Sequence, residues 1–78
     1  MQYVYILKCA DHSYYTGCTQ DIGERIEKHS NGYVESTKYK LPVELVFHCA
    51  FTDKTKAFEF EKYLKTGSGI AFRNKHLI

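Results

Sequence analysis

The chain has no tryptophan, one proline, no low-complexity run and no internal repeat. These absences argue against a proline-rich linker, a disordered tail and a stacked-repeat array. No apolar stretch approaches the ~20 residues of a membrane span, so no membrane partner is expected. The three cysteines, Cys9, Cys18 and Cys49, make neither an even set nor a CxxC pair. A disulfide framework or thiolate zinc site is therefore disfavoured, and buried or half-buried free thiols are expected, with Cys9 and Cys18 close across a hairpin. The opening "MQYVYIL" lacks a basic flank, a long apolar region and a small-residue cleavage site, so no signal peptide is expected and the expected location is the cytoplasm. A net charge of +2 is too small to announce nucleic acid by itself. The basic residues are unevenly placed: Lys62, Lys65, Arg73, Lys75 and His76 crowd the last quarter, where no acidic residue follows Glu61. Such an end is a solvated face that phosphate could also use.

What is present is the composition of a folded domain, 44% hydrophobic and 26% charged over 78 residues, long enough for one core and one domain spanning 1–78. Tyr3 to Cys9 alternates Tyr3, Tyr5 and Leu7 against Val4 and Ile6, the period of a strand covered on both faces. "ADHS" reads as a turn, and Tyr14 to Thr19 as the returning strand, with Tyr15 and Gly17 on one side. A glycine inside that strand needs a reason. Asp21 starts a helix, with Glu24 three residues on completing a capping-box-like pattern, and Asn31-Gly32 ends it. Residues 33–42 form a polar loop, and Val43 to Phe51 forms a third strand. A second helix, capped by Thr52 or Asp53, runs to about Thr66 with Gly67 as its stop, and "SGIAFRNKHLI" adds a short terminal helix. The order β-β-α-β-α-α predicts an α+β domain.

Polar residues fall on faces that should be apolar. At 100° per residue, Arg25 and His29 border the stripe set by Ile22 and Ile26, and Glu61 lies among Ala57, Phe58, Phe60 and Leu64. One reading is structural: Arg25 snorkels from the stripe's edge, or a Glu61–Arg25 ion pair holds the two helices together. The other is functional, because two helices packed on the sheet would bring Arg25, His29 and Glu61 toward Tyr5 and Tyr15.

Phosphodiester hydrolysis would use such a set. It needs an activated water, a cation on the phosphate oxygens and relief of charge in the transition state. Arg25 supplies a bidentate cation, and one glutamate suffices for Mg²⁺ if phosphate and water complete its shell. A tyrosine acting as base at neutral pH requires its phenolate to be favoured, by Arg25 or by metal-bound water.

"YVYIL" followed by "YYTG" resembles the paired signature of the GIY-YIG nuclease domain, with Tyr3-Val4-Tyr5 and Tyr15-Thr16-Gly17 as the two triplets. Arg25, His29 and Glu61 in "EFEKYLK" fall where that family keeps its arginine, its aromatic or histidine, and its metal-binding glutamate. The "KYKLPVELVFHCAF" and "KTGSGIAFRNKHL" stretches look like small stand-alone bacterial members. Tyr3 in place of the first glycine, Thr16 in place of isoleucine and Cys18 in place of a lysine depart from the pattern.

The resemblance implies a three-stranded antiparallel sheet flanked by helices and a DNA endonuclease dependent on one Mg²⁺ or Mn²⁺. Tyr5 would be the general base, Tyr15 would position water or phosphate, Arg25 would stabilise the transition state and Glu61 would hold the metal. His29 would orient the nucleophile or share the base role, and Gly17 would let the substrate backbone approach. DNA is the expected partner, with a targeting protein or a second copy as further ones, in repair or recombination. The competing expectation is a nucleic-acid-binding or partner-binding module that keeps the fold without turnover.

Overall fold

A computed structural model describes residues 1–78, Met1 to Ile78. Its elements are β1 (Gln2–Lys8), β2 (Tyr14–Thr19), α1 (Ile22–Ser30), β3 (Glu44–Phe51), α2 (Lys54–Leu64) and α3 (Gly67–His76). The predicted order and fold class hold, with strand ends within a residue. No helix is long and apolar enough to cross a membrane.

The three strands form one antiparallel sheet in the order β2-β1-β3. The most apolar strand is therefore central, which is where a strand covered on both faces belongs. Val4 and Ile6 of β1 pack against Ala57 and Leu64 of α2, all at most 1% exposed, with Cys18, Phe47, Phe51, Phe60 and Leu77 around them. Alternation sends Tyr5 and Leu7 to the other face, where both are also buried.

Local chemistry sets the element ends. The hairpin turn closes with Cys9 N–H donating to Ser13 O at 2.8 Å and Asp11 Oδ1 accepting from Ser13 N–H at 3.0 Å. Asp21 accepts from the Glu24 amide at 2.9 Å, and Asp53 accepts from the Thr55 amide at 2.8 Å, relieving the free donors of α1 and α2. At the end of α1 only Gly32 takes a positive φ, 77°, while Asn31 stays at −88°.

Two expectations fail here. Gly67 does not stop the second helix: α2 ends at Leu64 and Gly67 is the first residue of α3. The break is made by Thr66, whose hydroxyl donates to Tyr63 O at 2.7 Å and accepts from Gly69 N–H at 3.1 Å, ending one helix and capping the next. The glycine that matters is Gly69, where a Cβ would collide with the Tyr63 carbonyl and the Leu64 backbone, so its absence lets α3 fold back onto α2. Cys9 and Cys18 are also not neighbours across the hairpin. Cys9 sits at its turn, whereas Cys18 pairs with Val4 and points to the α2 side; Cys49 pairs with Val4 from the other strand, and all three thiols are free.

Candidate active site

Tyr5 lies on the central strand directly opposite Gly17 on the edge strand β2. A Cβ at Gly17 would overlap the Cζ and hydroxyl of Tyr5, so the tyrosine ring leans across β2 through the space that the glycine leaves. This replaces the expectation that Gly17 clears a path for substrate backbone. The strand glycine exists to place a phenol.

The phenol is held at its tip. Tyr5 Oη is 2.9 Å from His29 Nε2, and His29 Nδ1 is 2.7 Å from Thr37 Oγ1. Tyr5 is 1% exposed, and His29 and Thr37 are fully buried, so the three form a buried chain of polar groups. His29 does not border the apolar stripe of α1; it is that helix's one buried residue. Tyr15 joins through ring contacts, its centroid 5.0 Å from His29 and 6.2 Å from Tyr5. Thr37 was not legible in the sequence. It sits in the polar 33–42 loop, in a turn closed by the amides of Thr37 and Lys38 on Val34 O, and the loop is tied to the hairpin by Ala10 N–H on Lys40 O at 2.9 Å. A threonine among serine, lysine and glutamate carries no burial signal of its own.

Arg25 and Glu61 act on the same phenol. Burial drives the Tyr5 hydroxyl well above the 10 of a free tyrosine; Tyr15 adds to this, the Arg25 charge opposes it and the Glu61 charge adds again. Burial wins, because the desolvation of a phenolate outweighs one half-buried guanidinium. Tyr5 therefore rests as a neutral phenol; of the two aids a phenolate would require, Arg25 and metal-bound water, the Arg25 charge alone does not outweigh burial. His29 moves the other way: burial lowers it below 6.5 and Arg25 lowers it further, so it rests as neutral imidazole.

The Glu61–Arg25 ion pair of the structural reading is not formed. Glu61 Oε2 instead meets Lys65 Nζ one turn on, at 3.2 Å, and Arg25 makes no ion pair at all. A half-buried guanidinium without a carboxylate is open to an anion. It lines a cleft of about 450 Å³ together with Asp21, Glu24, Lys28, Lys54 and Phe58, so the cleft carries carboxylates as well as cations, and none of Tyr5, Tyr15, His29 and Glu61 lines it.

The chain has no cluster of three or more His, Cys, Asp and Glu side chains. A closed structural metal site is thus excluded by the donor set, whereas one hard carboxylate fits an ion such as Mg²⁺ that keeps its waters and takes its remaining oxygens from a phosphate. Glu61, with 21% of its side chain exposed and only the exposed Lys65 on it, suits that role.

A small α+β domain thus sets Tyr15, a histidine, an arginine and a single carboxylate around the buried phenol of Tyr5. Residues 1–72 match the family model described as the GIY-YIG catalytic domain, and the chain belongs to that family. The family points to nuclease activity. The chain is 46% identical over 67 residues to the UPF0213 protein SSP2268 of Staphylococcus saprophyticus, covering 85% of this chain and 82% of that one. It is also 46% identical over 66 residues to the UPF0213 protein CPE1444 of Clostridium perfringens, covering 83% and 71%. The solution NMR structure of the UPF0213 protein BH0048 from Bacillus halodurans superposes with a TM-score of 0.61 at 37% identity, covering 96% of this chain and 84% of that one.

Proposed function

We propose that residues 1–78 act as one domain and form a metal-dependent DNA endonuclease, one that selects DNA by structure or by partner rather than by base sequence. The observation that carries this reading is the Tyr5 hydroxyl, fixed 2.9 Å from a buried neutral imidazole while Arg25 and Glu61 both act on it. With a net charge of only +2, DNA binding should be weak and carry little base specificity, because phosphate contacts position a substrate without reading it.

In this reading a water at the phosphate gives a proton to the Tyr5 oxygen as Tyr5 passes its own proton to His29 Nε2. The phenolate, disfavoured by burial, is thus never released as a free anion. Such relayed base catalysis contributes about 10²–10⁴-fold. The hydroxide oxygen bonds to phosphorus, the bond to the leaving oxygen breaks, that oxygen takes its proton from solvent, and the proton on His29 returns through Tyr5 to solvent as the product leaves. Tyr15 holds the attacking water or a phosphate oxygen against the ring pair. Arg25 donates in bidentate fashion to the non-bridging oxygens, where charge develops. A Mg²⁺ or Mn²⁺ ion on Glu61 would supply Lewis-acid polarisation of the phosphate and stabilise charge on the leaving oxygen.

The test is cleavage of labelled duplex, flap and four-way-junction DNA with Mg²⁺, Mn²⁺ or chelator. Cutting by the wild type that chelation and Glu61→Ala each abolish is expected. Full activity in folded Glu61→Ala would remove the metal role, and metal-indifferent binding without cutting would leave a binding module.

Two further results follow from the site's electrostatics. The relay needs neutral His29, whose pKa is lowered from 6.5, so cleavage is retained at neutral pH and lost only as pH falls through a value below 6.5. A pH–rate profile with its acid limb at or above 7 contradicts His29 as proton acceptor. Lys65 competes for the Glu61 carboxylate, so Lys65→Ala tightens Mn²⁺ binding severalfold, read by electron paramagnetic resonance titration. Unchanged affinity would separate Glu61 from the ion.

A further inference from the structure

We infer that Arg73 and Lys65 form a second phosphate site, which holds the nucleotide unit next to the one being cut and so lays the DNA strand across Tyr15. The inference rests on the nuclease reading for the reaction it serves but not for the binding it asserts.

The chain has two arginines, Arg25 and Arg73. The molecule's three ion pairs are all made by lysines, so each arginine is half-buried without a carboxylate. The Arg73 guanidinium is nonetheless fixed. Its Cζ sits 4.8 Å from the centre of the Tyr14 ring, and its Nε and Nη2 both donate to Asn74 Oδ1, at 3.1 and 2.9 Å. These contacts occupy one face and one edge of the plane, and Nη1 bonds to nothing in the protein. A cation held in place yet uncompensated is preorganised for an anion's oxygens.

The surroundings identify the anion. Arg73 and Lys65 line a cleft of about 290 Å³ with Tyr14, Tyr15, Leu64 and Ile70, and no carboxylate lines it. The Arg25 cleft, by contrast, carries Asp21 and Glu24 and shares no residue with this one. Two cations over an aromatic and apolar wall suit a phosphodiester with its sugar better than a bare hydrated anion, because the wall offers the sugar and base apolar contact. Two of the lining residues also reach the candidate site. The Tyr15 ring is centred 5.0 Å from that of His29, and Lys65 Nζ lies 3.2 Å from Glu61 Oε2. A phosphate on Arg73 is therefore a neighbour of the reacting one on the same strand. Of the five basic residues near the chain's end, only Lys65 and Arg73 line this cleft; Lys62, Lys75 and His76 lie outside it. An Arg73 that merely pinned α3 to β2 would use its Tyr14 face alone and leave DNA binding untouched.

Binding of a short fluorescent oligothymidylate to the full chain, measured in chelator across a salt series, tests this without cleavage. Arg73→Gln keeps a stem over Tyr14 and removes the charge. It is expected to weaken binding about fivefold at 0.1 M salt and to lower the slope of log affinity against log salt by about 0.7, the share of one single-strand phosphate contact. Lys75→Gln, outside the cleft, should leave both near wild type. In the wild type the oligonucleotide should move the Arg73 Nε–H resonance further than inorganic phosphate does at the same concentration of phosphate groups. Where cleavage is measured, Arg73→Gln should raise KM with kcat unchanged, the signature of binding shared by ground and transition states. A wild-type slope in Arg73→Gln, an equal loss in Lys75→Gln, or an Arg73 resonance that inorganic phosphate moves as far as the oligonucleotide does overturns the inference. A wild type that binds through Arg73 but cuts no DNA defeats the nuclease reading alone. If Arg73→Gln does not fold, the wild-type resonance decides: a shift with oligonucleotide supports the site and no shift refutes it.

Discussion

Arg25→Ala is expected to lower single-turnover DNA cleavage by about 10³-fold or more while leaving the fold intact, the scale on which a dedicated transition-state cation acts. The two halves of this result have one cause. Arg25 is half-buried yet makes no ion pair, so its removal strands no carboxylate and exposes no unmet buried acceptor. A structural arginine would behave oppositely, since breaking a buried pair costs about 3–5 kcal/mol. The substitution carries an internal control. Arg25 is one of the two influences holding His29 below 6.5, so the His29 titration, followed by NMR, should move up in Arg25→Ala. An unmoved histidine would mean that the guanidinium does not face the ring; wild-type cleavage with a moved one would mean that it faces the ring without serving the reaction.

Gly17→Ala should be as damaging by a different route. The added methyl would lie on the Tyr5 Cζ and hydroxyl. That atom group ends a side chain, but a buried ring bonded to His29 has nowhere to go. Overpacking of this kind costs about 1–3 kcal/mol, and displacement of the phenol breaks the Tyr5–His29 bond as well. Cleavage should fall about 10²-fold or more even where thermal unfolding shows the variant still folded. Gly69→Ala offers the comparison. It meets α2 backbone rather than a catalytic side chain, so it should lower stability without changing the cleavage rate of the folded fraction. Equal rates for Gly17→Ala and wild type would return Gly17 to an ordinary strand position.

How much of this could be read in the sequence depends on how local each cause is. The hairpin and the cap at Asp21 are set by neighbouring residues and were readable from spacing alone, whereas spacing left the second cap between Thr52 and Asp53, of which Asp53 serves. Helical periodicity brought Arg25, His29 and Glu61 toward the sheet, and the resemblance assigned them roles. What was missed lies where side-chain chemistry chooses among several partners, some near in sequence and some distant. Gly67 resembles a stop, but the Thr66 hydroxyl serves both flanking helices and makes the break first. Gly17 is recognisable as an exception in a strand, yet its reason lies on β1, in the registered Tyr5. Glu61 chose Lys65, four residues away, over the Arg25 that charge matching had suggested. Thr37 belongs to the candidate site only because a loop folds over α1 and seals the far side of His29.

The state of Tyr5 shows why geometry was needed. As a residue type in a suggestive spacing it invited a phenolate base, and the nearby arginine appeared to supply the stabilisation. In the folded protein burial outweighs that charge, and the phenol is neutral. In the proposed reaction its base role runs through His29. Tyr5→Phe isolates this claim, since phenylalanine retains the ring over Gly17 and removes only the hydroxyl, leaving His29 Nε2 unpaired at a cost of about 1–3 kcal/mol.

The most direct measurement is therefore single-turnover cleavage of a labelled DNA by wild type and by Tyr5→Phe, at pH 7.5 with Mn²⁺, after folding of both has been verified by NMR. The account predicts cutting by the wild type and a loss of at least 10²-fold in the folded variant. A folded Tyr5→Phe that cuts at the wild-type rate would contradict it.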